Sequence, residues 1–312
     1  MWLAIAGLGA VALGRIFAWD AISVLALLNS ITVLLYLPAW PIALAAAFGR
    51  RPLLAAAATL VVVSQVAFLA PEFAASQALP LWTSDAFSFR LLDANVYYEN
   101  PSMSGYSAQV RALRPDVVTM EEAVPNDVSQ LRSSGALHGL PYQYEVVSYD
   151  PFAFLIASRF PLEGTRVIHL YGEPLIVETS LLLPSGPQPL WVVHTIAPLP
   201  VSFDRWMGQL QAIRESIQKH EPQGLLIVGD FNATWNNKGF RAILDAGMTD
   251  GAAARGHALE MTWSQMMPPL PPFSRIDHVL TGPGVEVTNY ATQSGPGSDH
   301  RDLLDTVASR RR

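Results

Sequence analysis

The segment of the sequence best suited to chemistry is an apolar run that ends in an acid and an amide. Residues 225–228 lead into Gly229, and Asp230 and Asn232 follow. On an extended chain, residues i and i+2 point to the same side, so the carboxylate and the carboxamide would face one site together. A carboxylate can orient or deprotonate water, and an amide can hold a phosphoryl oxygen. The competing interpretation is a simple turn, because these residue types favour turns.

Two further segments place an aspartate beside a histidine. Asp277 lies in the apolar run 276–280, and Asp299 and His300 follow a Ser-Gly-Pro-Gly stretch. A charge within an apolar strand is costly unless it is paired. A histidine whose second ring nitrogen is held by a carboxylate is a recurring catalytic device. The sequence therefore predicts that Asp277 pairs with His300.

Three more apolar runs end in polar side chains that suit a metal or phosphate site. They deliver Asn95, the pair Glu121 and Glu122, and His194. Each alone has an ordinary structural explanation, but together with the preceding pairs they describe one edge of a sandwich lined with oxygen ligands and imidazoles. Such ligands suit Mg²⁺ or Mn²⁺. The chain has no cysteine, which excludes disulfides, thiolate metal sites and cysteine nucleophiles.

The elements that must position these residues are short strands with a few helices between them. The predicted strands are 87–96, 117–120, 144–147, 152–157, 175–183, 190–194, 225–229, 276–280 and 285–291. The predicted helices are 105–113, 126–133, 204–219 and 236–246. This order predicts a layered α/β sandwich. The glycine-rich phosphate loops of nucleotide-binding folds are absent from the sequence.

The N-terminal part of the chain is strongly apolar and predicts a membrane anchor. Three stretches, 2–14, 21–48 and 53–70, are expected to cross a lipid bilayer, and two crossings are the alternative because Pro38 and Pro41 interrupt the second stretch. A cleaved signal peptide is the competing interpretation. The lack of an early basic residue and the length of the apolar region argue against it.

The orientation of the anchor follows from Arg50 and Arg51, which form the basic pair between apolar stretches. Basic loops stay in the cytoplasm, so everything after Pro71 is expected to lie outside it. The chain is thus expected to be a multi-pass membrane protein with an extracytoplasmic catalytic domain.

The charge balance bears on whether the chain binds nucleic acid. The chain has 20 basic and 26 acidic residues, a net charge of −6. Nucleic-acid-binding domains usually carry a basic footprint. The tail Arg310 to Arg312 is one candidate patch, and a solvated chain end is the alternative interpretation. Nucleic acid is therefore a partner that the charge does not favour.

In this order, the polar strand ends resemble the endonuclease/exonuclease/phosphatase superfamily, which includes deoxyribonucleases, sphingomyelinases and inositol-phosphate phosphatases. The matching segments are Asn95 with Val96, 115–122, 158–162, His194, 229–233, 275–278 and 298–300. The resemblance implies a four-layered α/β sandwich of two facing mixed sheets, here preceded by N-terminal transmembrane helices. It also implies Mg²⁺-assisted attack of water on a phosphoester.

Carried over by position, the resemblance implies two groups of site residues. The implied metal ligands are Glu122, Asn95 and Asp299. The implied catalytic residues are Asp230, Asn232, His194, Asp277 and His300. Asp230 would orient and activate water, and Asn232 would hold a phosphoryl oxygen. His300, oriented by Asp277, would contact the phosphate, and His194 would lie against the phosphate or the leaving group.

Two positions depart from the family pattern. Glu121 stands where a glutamine often precedes the metal-binding glutamate, and His194 is followed by Thr195 where the pattern usually has threonine before the histidine. The first departure leaves the choice between the two glutamates less clear. The second makes the role of His194 less certain.

The predicted organisation is an anchor at 1–71, a linker at 72–86, a phosphoesterase domain at 87–307 and a basic tail at 308–312.

A lipid-linked or small phosphoester is the expected substrate, since the domain is acidic and tethered. A membrane-tethered nuclease is the alternative. A catalytically inactive binding module on the same fold is a second alternative, which predicts that a catalytic position has been lost. A transporter would need more apolar spans.

Overall fold

A computed structural model describes residues 1–267 and 270–310 and contains two sheets and ten α-helices in that part of the chain. The helices are α1 (Trp2–Ala18), α2 (Ser23–Ser30), α3 (Thr32–Leu35), α4 (Ala39–Phe48), α5 (Pro52–Phe73), α6 (Ser104–Leu113), α7 (Pro125–Ser133), α8 (Phe203–His220), α9 (Lys238–Leu244) and α10 (Gly251–Ala254). The strands are β1 (Phe87–Asn95), β2 (Val117–Glu121), β3 (Tyr142–Val146), β4 (Phe154–Ser158), β5 (Leu162–Leu170), β6 (Glu173–Leu183), β7 (Gly186–His194), β8 (Leu226–Asp230), β9 (Thr249–Asp250), β10 (Asp277–Thr281), β11 (Val285–Asn289), β12 (Thr292–Ser294) and β13 (Arg301–Ser309). We call α1–α5 the helical module and the remainder from β1 the sandwich.

Both sheets of the sandwich are mixed. The first has the order β11-β13-β1-β2-β4-β3, with β12 also paired to β13, and the second has the order β5-β6-β7-β8-β10-β9. The pairs β1 with β2 and β7 with β8 are parallel, whereas the other pairs are antiparallel. The prediction of two facing mixed sheets is confirmed.

Apolar side chains of both sheets fill the space between them. Leu91 and Ile156 of the first sheet belong to the same buried cluster as Val192 and Val228 of the second. Helices α6 and α7 cover the outer face of the first sheet, and α8 and α9 cover that of the second. The alternating strand pattern and the apolar stripe of α8 thus produce four layers, as expected for helices packed on two sheets.

The helical module differs in detail from the predicted spans. The second predicted stretch, 21–48, is not one helix but the three short helices α2, α3 and α4. Pro38 explains the break before α4, since proline lacks the donor N–H and disfavours helix in the residue before it. Pro41 lies in the first turn of α4, where a proline is tolerated.

Length and hydropathy identify fewer long spans than the three predicted. Within the described residues, α5 alone is long and apolar enough to cross a bilayer, and α1 with α2 would count as a second span despite a bend of 110°. The segment Thr32–Phe48 is apolar but shorter. By this measure the number of candidate crossings is one or two, and membrane anchoring remains a prediction.

Two long strands were not predicted from the sequence. β5 contains exposed glutamate and glycine positions that break its alternation, and β13 carries the buried acids Asp302 and Asp305. Buried acids in a strand obscure the apolar pattern on which such predictions depend. Because β13 pairs with β1, it completes the centre of the first sheet.

The predicted domain boundaries also shift. Glu72 was assigned to the linker but lies in the last turn of α5, where its carboxylate is buried against Arg275. Ala308 and Ser309 were assigned to the basic tail but belong to β13, which pairs with β1 and β11. The residues Arg311 and Arg312 of the predicted tail lie outside the described part of the chain.

Candidate active site

Strand pairing in the second sheet aligns three of the candidate residues in one row. His194 of β7 lies opposite Asp230 of β8, and Asp277 of β10 lies opposite Asp230 on its other side. The three strands therefore place an imidazole and two carboxylates next to one another at one edge of the sandwich.

The turn after β8 fixes Asp230 and Asn232. The Asn232 backbone N–H donates to Asp230 Oδ1 at 2.7 Å, and Asn232 Nδ2 donates to the carbonyl of Thr195 at 2.8 Å. Asn232 has a φ of 45°, a left-handed conformation that asparagine tolerates. Gly229 is required here, because a Cβ atom at that position would lie 2.1 Å from the Val193 carbonyl oxygen.

The predicted pair of Asp277 and His300 is formed. His300 Nδ1 donates to the two carboxylate oxygens of Asp277 at 3.0 and 3.1 Å. Its other nitrogen, Nε2, lies 3.9 Å from Asp230 Oδ2 and 3.8 Å from Asp299 Oδ1. Burial alone would lower the pKa of His300, but the charge and hydrogen bonds of Asp277 outweigh it and raise the pKa to about 10. His300 is therefore a cation at neutral pH.

Glu122 and Asn95 meet at the same edge. Asn95 Nδ2 donates to Glu122 Oε1 at 2.9 Å and to Asp230 Oδ2 at 3.1 Å, so the amide bridges the two carboxylates. The backbone N–H of Tyr98 donates to Glu122 Oε2 at 3.0 Å. The structure thus joins the ends of β1, β2 and β8 through one amide.

His194 faces the same two carboxylates. Its Nδ1 donates to the carbonyl of Pro151 at 2.9 Å, which fixes the tautomer and leaves Nε2 without a proton in the neutral ring. Nε2 lies 3.6 Å from Glu122 Oε1 and 3.7 Å from Asp230 Oδ2. Burial lowers the pKa of His194, so the neutral form is favoured.

Asp299 is less buried than the rest of the group. Its Oδ2 accepts a hydrogen bond from Trp263 Nε1 at 2.8 Å, and its Oδ1 faces His300. Thr262 is buried, and its Oγ1 accepts from the backbone N–H groups of Ile276 and Asp277. Thr262 therefore supports the strand that carries Asp277.

The structure separates the roles of the two adjacent glutamates. Glu122 has a φ of 60°, and this left-handed turn sends its side chain to Asn95 and His194. Glu121 is fully buried on β2, and neither of its carboxylate oxygens has a hydrogen-bond partner among the described residues. Burial, followed by the charge of Asp93, raises the pKa of Glu121. Glu121 thus lies behind the site rather than in it.

The arrangement fits a divalent cation. His194 Nε2 lies 3.6 Å from Glu122 Oε1 and 3.7 Å from Asp230 Oδ2, so one imidazole nitrogen and two carboxylates converge. Burial raises the pKa of Asp230 well above its ordinary value, and the charge of Asp277 raises it further. A cation would offset this crowding of negative charge. Carboxylate oxygens are ligands that Mg²⁺ accepts. Asn95 directs its Nδ2 at the two carboxylates, and its Oδ1 accepts from the Tyr97 backbone N–H at 3.1 Å, so its amide would have to turn to offer an oxygen to the ion.

Geometry alone also offers a different metal group, in which Asp230, Asp277 and His300 each place a ligand atom within 4.8 Å of the others. We favour a metal site at Glu122, Asn95 and Asp230. The Asp277 carboxylate is already hydrogen-bonded to the Nδ1 atom of His300. The predicted ligand Asp299 contacts Trp263 and His300, on the His300 side of the site.

Several residues that hold the site were missed at the level of sequence. Ser298 Oγ donates to the Asn95 carbonyl at 2.7 Å and accepts from the His300 backbone N–H at 3.0 Å, so it joins the ends of β1 and β13. Its position in the Ser-Asp-His segment was the available signal. The carbonyl of Asn236, in the loop after Asn232, accepts from Arg15 and Trp19 of the helical module. No local pattern marks those distant contacts.

A four-layered sandwich with acids, amides and imidazoles converging at one edge defines a hydrolase of phosphoester bonds. The model of the endonuclease/exonuclease/phosphatase family matches residues 94–300, and the chain belongs to that family. Members of this family are divalent-metal-dependent phosphoesterases. No curated protein sequence matches the chain.

Solved structures share the fold at low sequence identity. TDP2 from D. rerio, complexed with a single-strand DNA product, is 18% identical with a TM-score of 0.59, and the match covers 71% of this chain and 99% of that one. Truncated Caenorhabditis elegans TDP2 is 16% identical with a TM-score of 0.56, covering 72% and 98%. The 3'-5' exonuclease NExo from Neisseria meningitidis is 18% identical with a TM-score of 0.54, covering 71% and 99%.

Proposed function

We propose that this protein is a membrane-anchored, Mg²⁺-dependent phosphoesterase that acts on a lipid-linked or small phosphoester. The observation that carries the proposal is the convergence of six strand ends at one edge of the sandwich, where Asp230 lies within 4 Å of Asn95, His194 and His300. A catalytically inactive module would have lost at least one catalytic side chain, and each predicted position retains its residue.

In the proposed reaction, Asp230 orients a water molecule and accepts its proton as the water oxygen attacks phosphorus. The phosphorus–oxygen ester bond breaks, and the departing oxygen takes a proton from solvent. Asn232 Nδ2 donates to the Thr195 carbonyl and, at 3.2 Å, to Asp230 Oδ2, and when substrate binds the second N–H turns from Asp230 to a non-bridging phosphoryl oxygen. Preorganised donors of this kind stabilise charge that develops in the transition state.

The two histidines have different proposed roles because their protonation differs. His300 is cationic, and its Nε2–H points away from Asp277 into the site, where it can donate to a phosphoryl oxygen. His194 is neutral, and its Nε2 lone pair faces Glu122 and Asp230. It is suited to accept a hydrogen bond from water or to lie against the leaving group.

Glu122, Asn95 and Asp230 are the proposed metal-site residues, whereas Asp299, which the resemblance also implied as a ligand, lies on the His300 side of the site. Bound there, Mg²⁺ would neutralise charge on the phosphoryl oxygens, and Mn²⁺ is an alternative ion. The raised pKa of Asp230 supports a nearby cation, since positive charge would favour its ionised form.

Membrane anchoring is supported by the surface of the helical module. Phe17 of α1 is 82% exposed, and Leu53 and Leu60 of α5 are 77% and 68% exposed. Large exposed apolar surfaces of this kind are unfavourable in water and mark contact with a membrane or a partner. Both helices also end at the sandwich, where Arg15 reaches the Asn236 carbonyl and Glu72 reaches Arg275.

The proposed topology places the sandwich outside the cytoplasm. Arg50 and Arg51 lie in the turn between α4 and α5, at the end of α5 that is opposite Glu72 and the sandwich. Basic turns stay in the cytoplasm. An alkaline phosphatase fused to the C-terminus should therefore be active in a bacterial host, and an inactive fusion would contradict this topology.

Nuclease activity is the second candidate, because the solved D. rerio neighbour was complexed with single-strand DNA product. We rank it lower because the chain is acidic overall, with a net charge of −6, and nucleic-acid affinity depends on basic contacts to phosphates.

The full chain in lipid nanodiscs can be tested with Mg²⁺ against bis(p-nitrophenyl) phosphate, single-stranded DNA, RNA, sphingomyelin and inositol phosphates. We expect hydrolysis that EDTA abolishes, that Asp230→Ala abolishes, and that the exposed Asp245→Ala control retains. Activity confined to DNA or RNA would reverse the ranking of substrates. No metal-dependent hydrolysis of any of them would refute the proposal.

A further inference from the structure

Helix α2 has an unusual distribution of side chains. Its buried face carries the small or polar residues Ser23, Ala26 and Asn29, whereas Val24 and Leu27 on the opposite side are 56% and 38% exposed. A surface helix of a water-soluble protein normally buries its apolar stripe and exposes its polar one. The distribution is inverted in α2, so its outer face is suited to a non-aqueous surrounding.

The polar face of α2 binds the sandwich through two serines. Ser23 Oγ donates to the Pro198 carbonyl at 2.7 Å, and Ser30 Oγ donates to Asn237 Oδ1 at 3.0 Å. Ala26 packs in the same buried cluster as Trp206 and Phe231 of the sandwich. The contacts hold α2 against the sandwich with its apolar side turned outwards.

The direction of α2 matches the plane of a bilayer. It meets α1 at a bend of 110°, which is about 20° from a right angle. Transmembrane helices lie within a few tens of degrees of the bilayer normal. If α1 crosses the membrane, α2 therefore lies nearly along its surface, at the end of α1 that contacts the sandwich.

The sandwich also carries exposed apolar side chains in the loop that contacts α2. In the loop after β7, Leu199 and Val201 are 50% and 93% exposed, and this loop includes the Pro198 carbonyl that binds Ser23. The loop is ordered by its own hydrogen bonds, from Ser202 Oγ to the Ala197 carbonyl and from the Ser202 backbone N–H to the Leu199 carbonyl. It begins directly after His194.

We infer that the outer face of α2 and the loop after β7 rest together in the headgroup layer of the bilayer, so that the active site opens at the membrane surface and takes phosphoesters of bilayer lipids. The inference rests on the proposed phosphoesterase function for its substrate, but the surface itself does not. A bilayer is the occupant chosen because Leu25 of α2 packs against Gly14 of α1, two and three residues before the exposed Ile16 and Phe17.

The chain has no cysteine, so single cysteines can carry an environment-sensitive fluorophore without background labelling. The variants are Val24→Cys, Val201→Cys and the control Leu81→Cys. Leu81 is 94% exposed, as Val201 is, but it precedes β1 and thus lies at the opposite end of that strand from Asn95. The full chain is placed in nanodiscs of phosphatidylcholine and phosphatidylglycerol, with or without lipids that carry a doxyl quencher.

Probes at 24 and 201 should show blue-shifted emission and quenching by doxyl lipids, while the probe at 81 should show neither. Equal solvent exposure at all three positions would overturn the inference. Shielding that instead depends on protein concentration in detergent would assign the face to a second copy of the chain and would also overturn it. Neither readout requires hydrolysis, so a failure of the proposed function would appear separately, as absence of metal-dependent turnover in the Leu81→Cys control.

Discussion

The two regions that position the catalytic residues do so by opposite means. Between the sheets, the packing is apolar and involves side chains such as Leu91, Ile156 and Val228. At the junction with the helical module, the contacts are polar and buried, as in the ion pair of Arg275 and Glu72. Apolar packing is tolerant of small changes, whereas a buried polar group that loses its partner is costly. The sandwich thus sets the position of the strands, and the junction sets the loops that follow them.

The largest expected effect is on kcat and follows from a substitution in the sandwich. Asp277→Asn should lower kcat by roughly 10²- to 10⁴-fold, the usual range for a positioned acid–base group, because His300 loses the carboxylate that orients and charges it. The unfolding temperature should fall as well, because the same pair stabilises the folded state. The exposed Asp245→Asn serves as the control. An Asp277→Asn enzyme with unchanged kcat would show that the pair is structural only.

Removing Glu72, the carboxylate that the helical module contributes to this ion pair, should have the largest effect on stability. Among the described residues, Glu72→Ala leaves Arg275 with Asp250 as its one acidic partner and should cost about 3 kcal/mol, near the lower end for breaking a buried pair. Thermal unfolding of the full chain in detergent measures it, with the exposed Glu163→Ala as the control. A loss as small as that of the control would mean that the polar junction contributes no more than a surface contact.

The pair of Asp277 and His300 should also make stability depend on pH. The folded-state pKa of His300 is raised from 6.5 to about 10, so the stabilisation is complete below about pH 6.5 and is lost as pH rises through about 10. Unfolding temperatures in EDTA should therefore fall between pH 7 and 10. His138→Asn, at an exposed site, should keep this slope, and Asp277→Asn should flatten it; equal slopes in both variants would exclude the assignment.

A small change in the apolar interior should have the smallest effect. Ile156→Val removes one methylene between the sheets and should cost roughly 0.5–1.5 kcal/mol. If it destabilises the protein more than Glu72→Ala does, measured under the same conditions, the contrast between the tolerant interior and the sensitive junction is wrong.

The site residues that lie at strand ends, and the fold class, could be predicted from the sequence. Asp230, Asp277 and His194 each end or begin an apolar run, and the register of β7, β8 and β10 aligns them. The fold class followed from the same alternation. The choice between Glu121 and Glu122 could not be made with the same clarity, because it depends on a left-handed turn at Glu122 that no local pattern announces.

Long-range polar contacts account for most of what was missed. Asp302 sits in a buried strand because Tyr106 Oη donates to it at 3.0 Å and Gln109 Nε2 donates to it at 2.8 Å. These partners lie nearly two hundred positions away. Likewise, the polar residues of α2 interrupt an apolar sequence for reasons that appear only when the sandwich lies beside them.

The ion pair of Glu72 and Arg275 has a consequence for shedding of the sandwich by proteases. A cut in the segment between α5 and β1 would leave Glu72 on the embedded side and Arg275 on the released side. The freed piece would keep each predicted catalytic side chain but lose contacts to the loop after Asn232. We therefore expect cleavage to inactivate this phosphoesterase rather than to release an active fragment from the membrane.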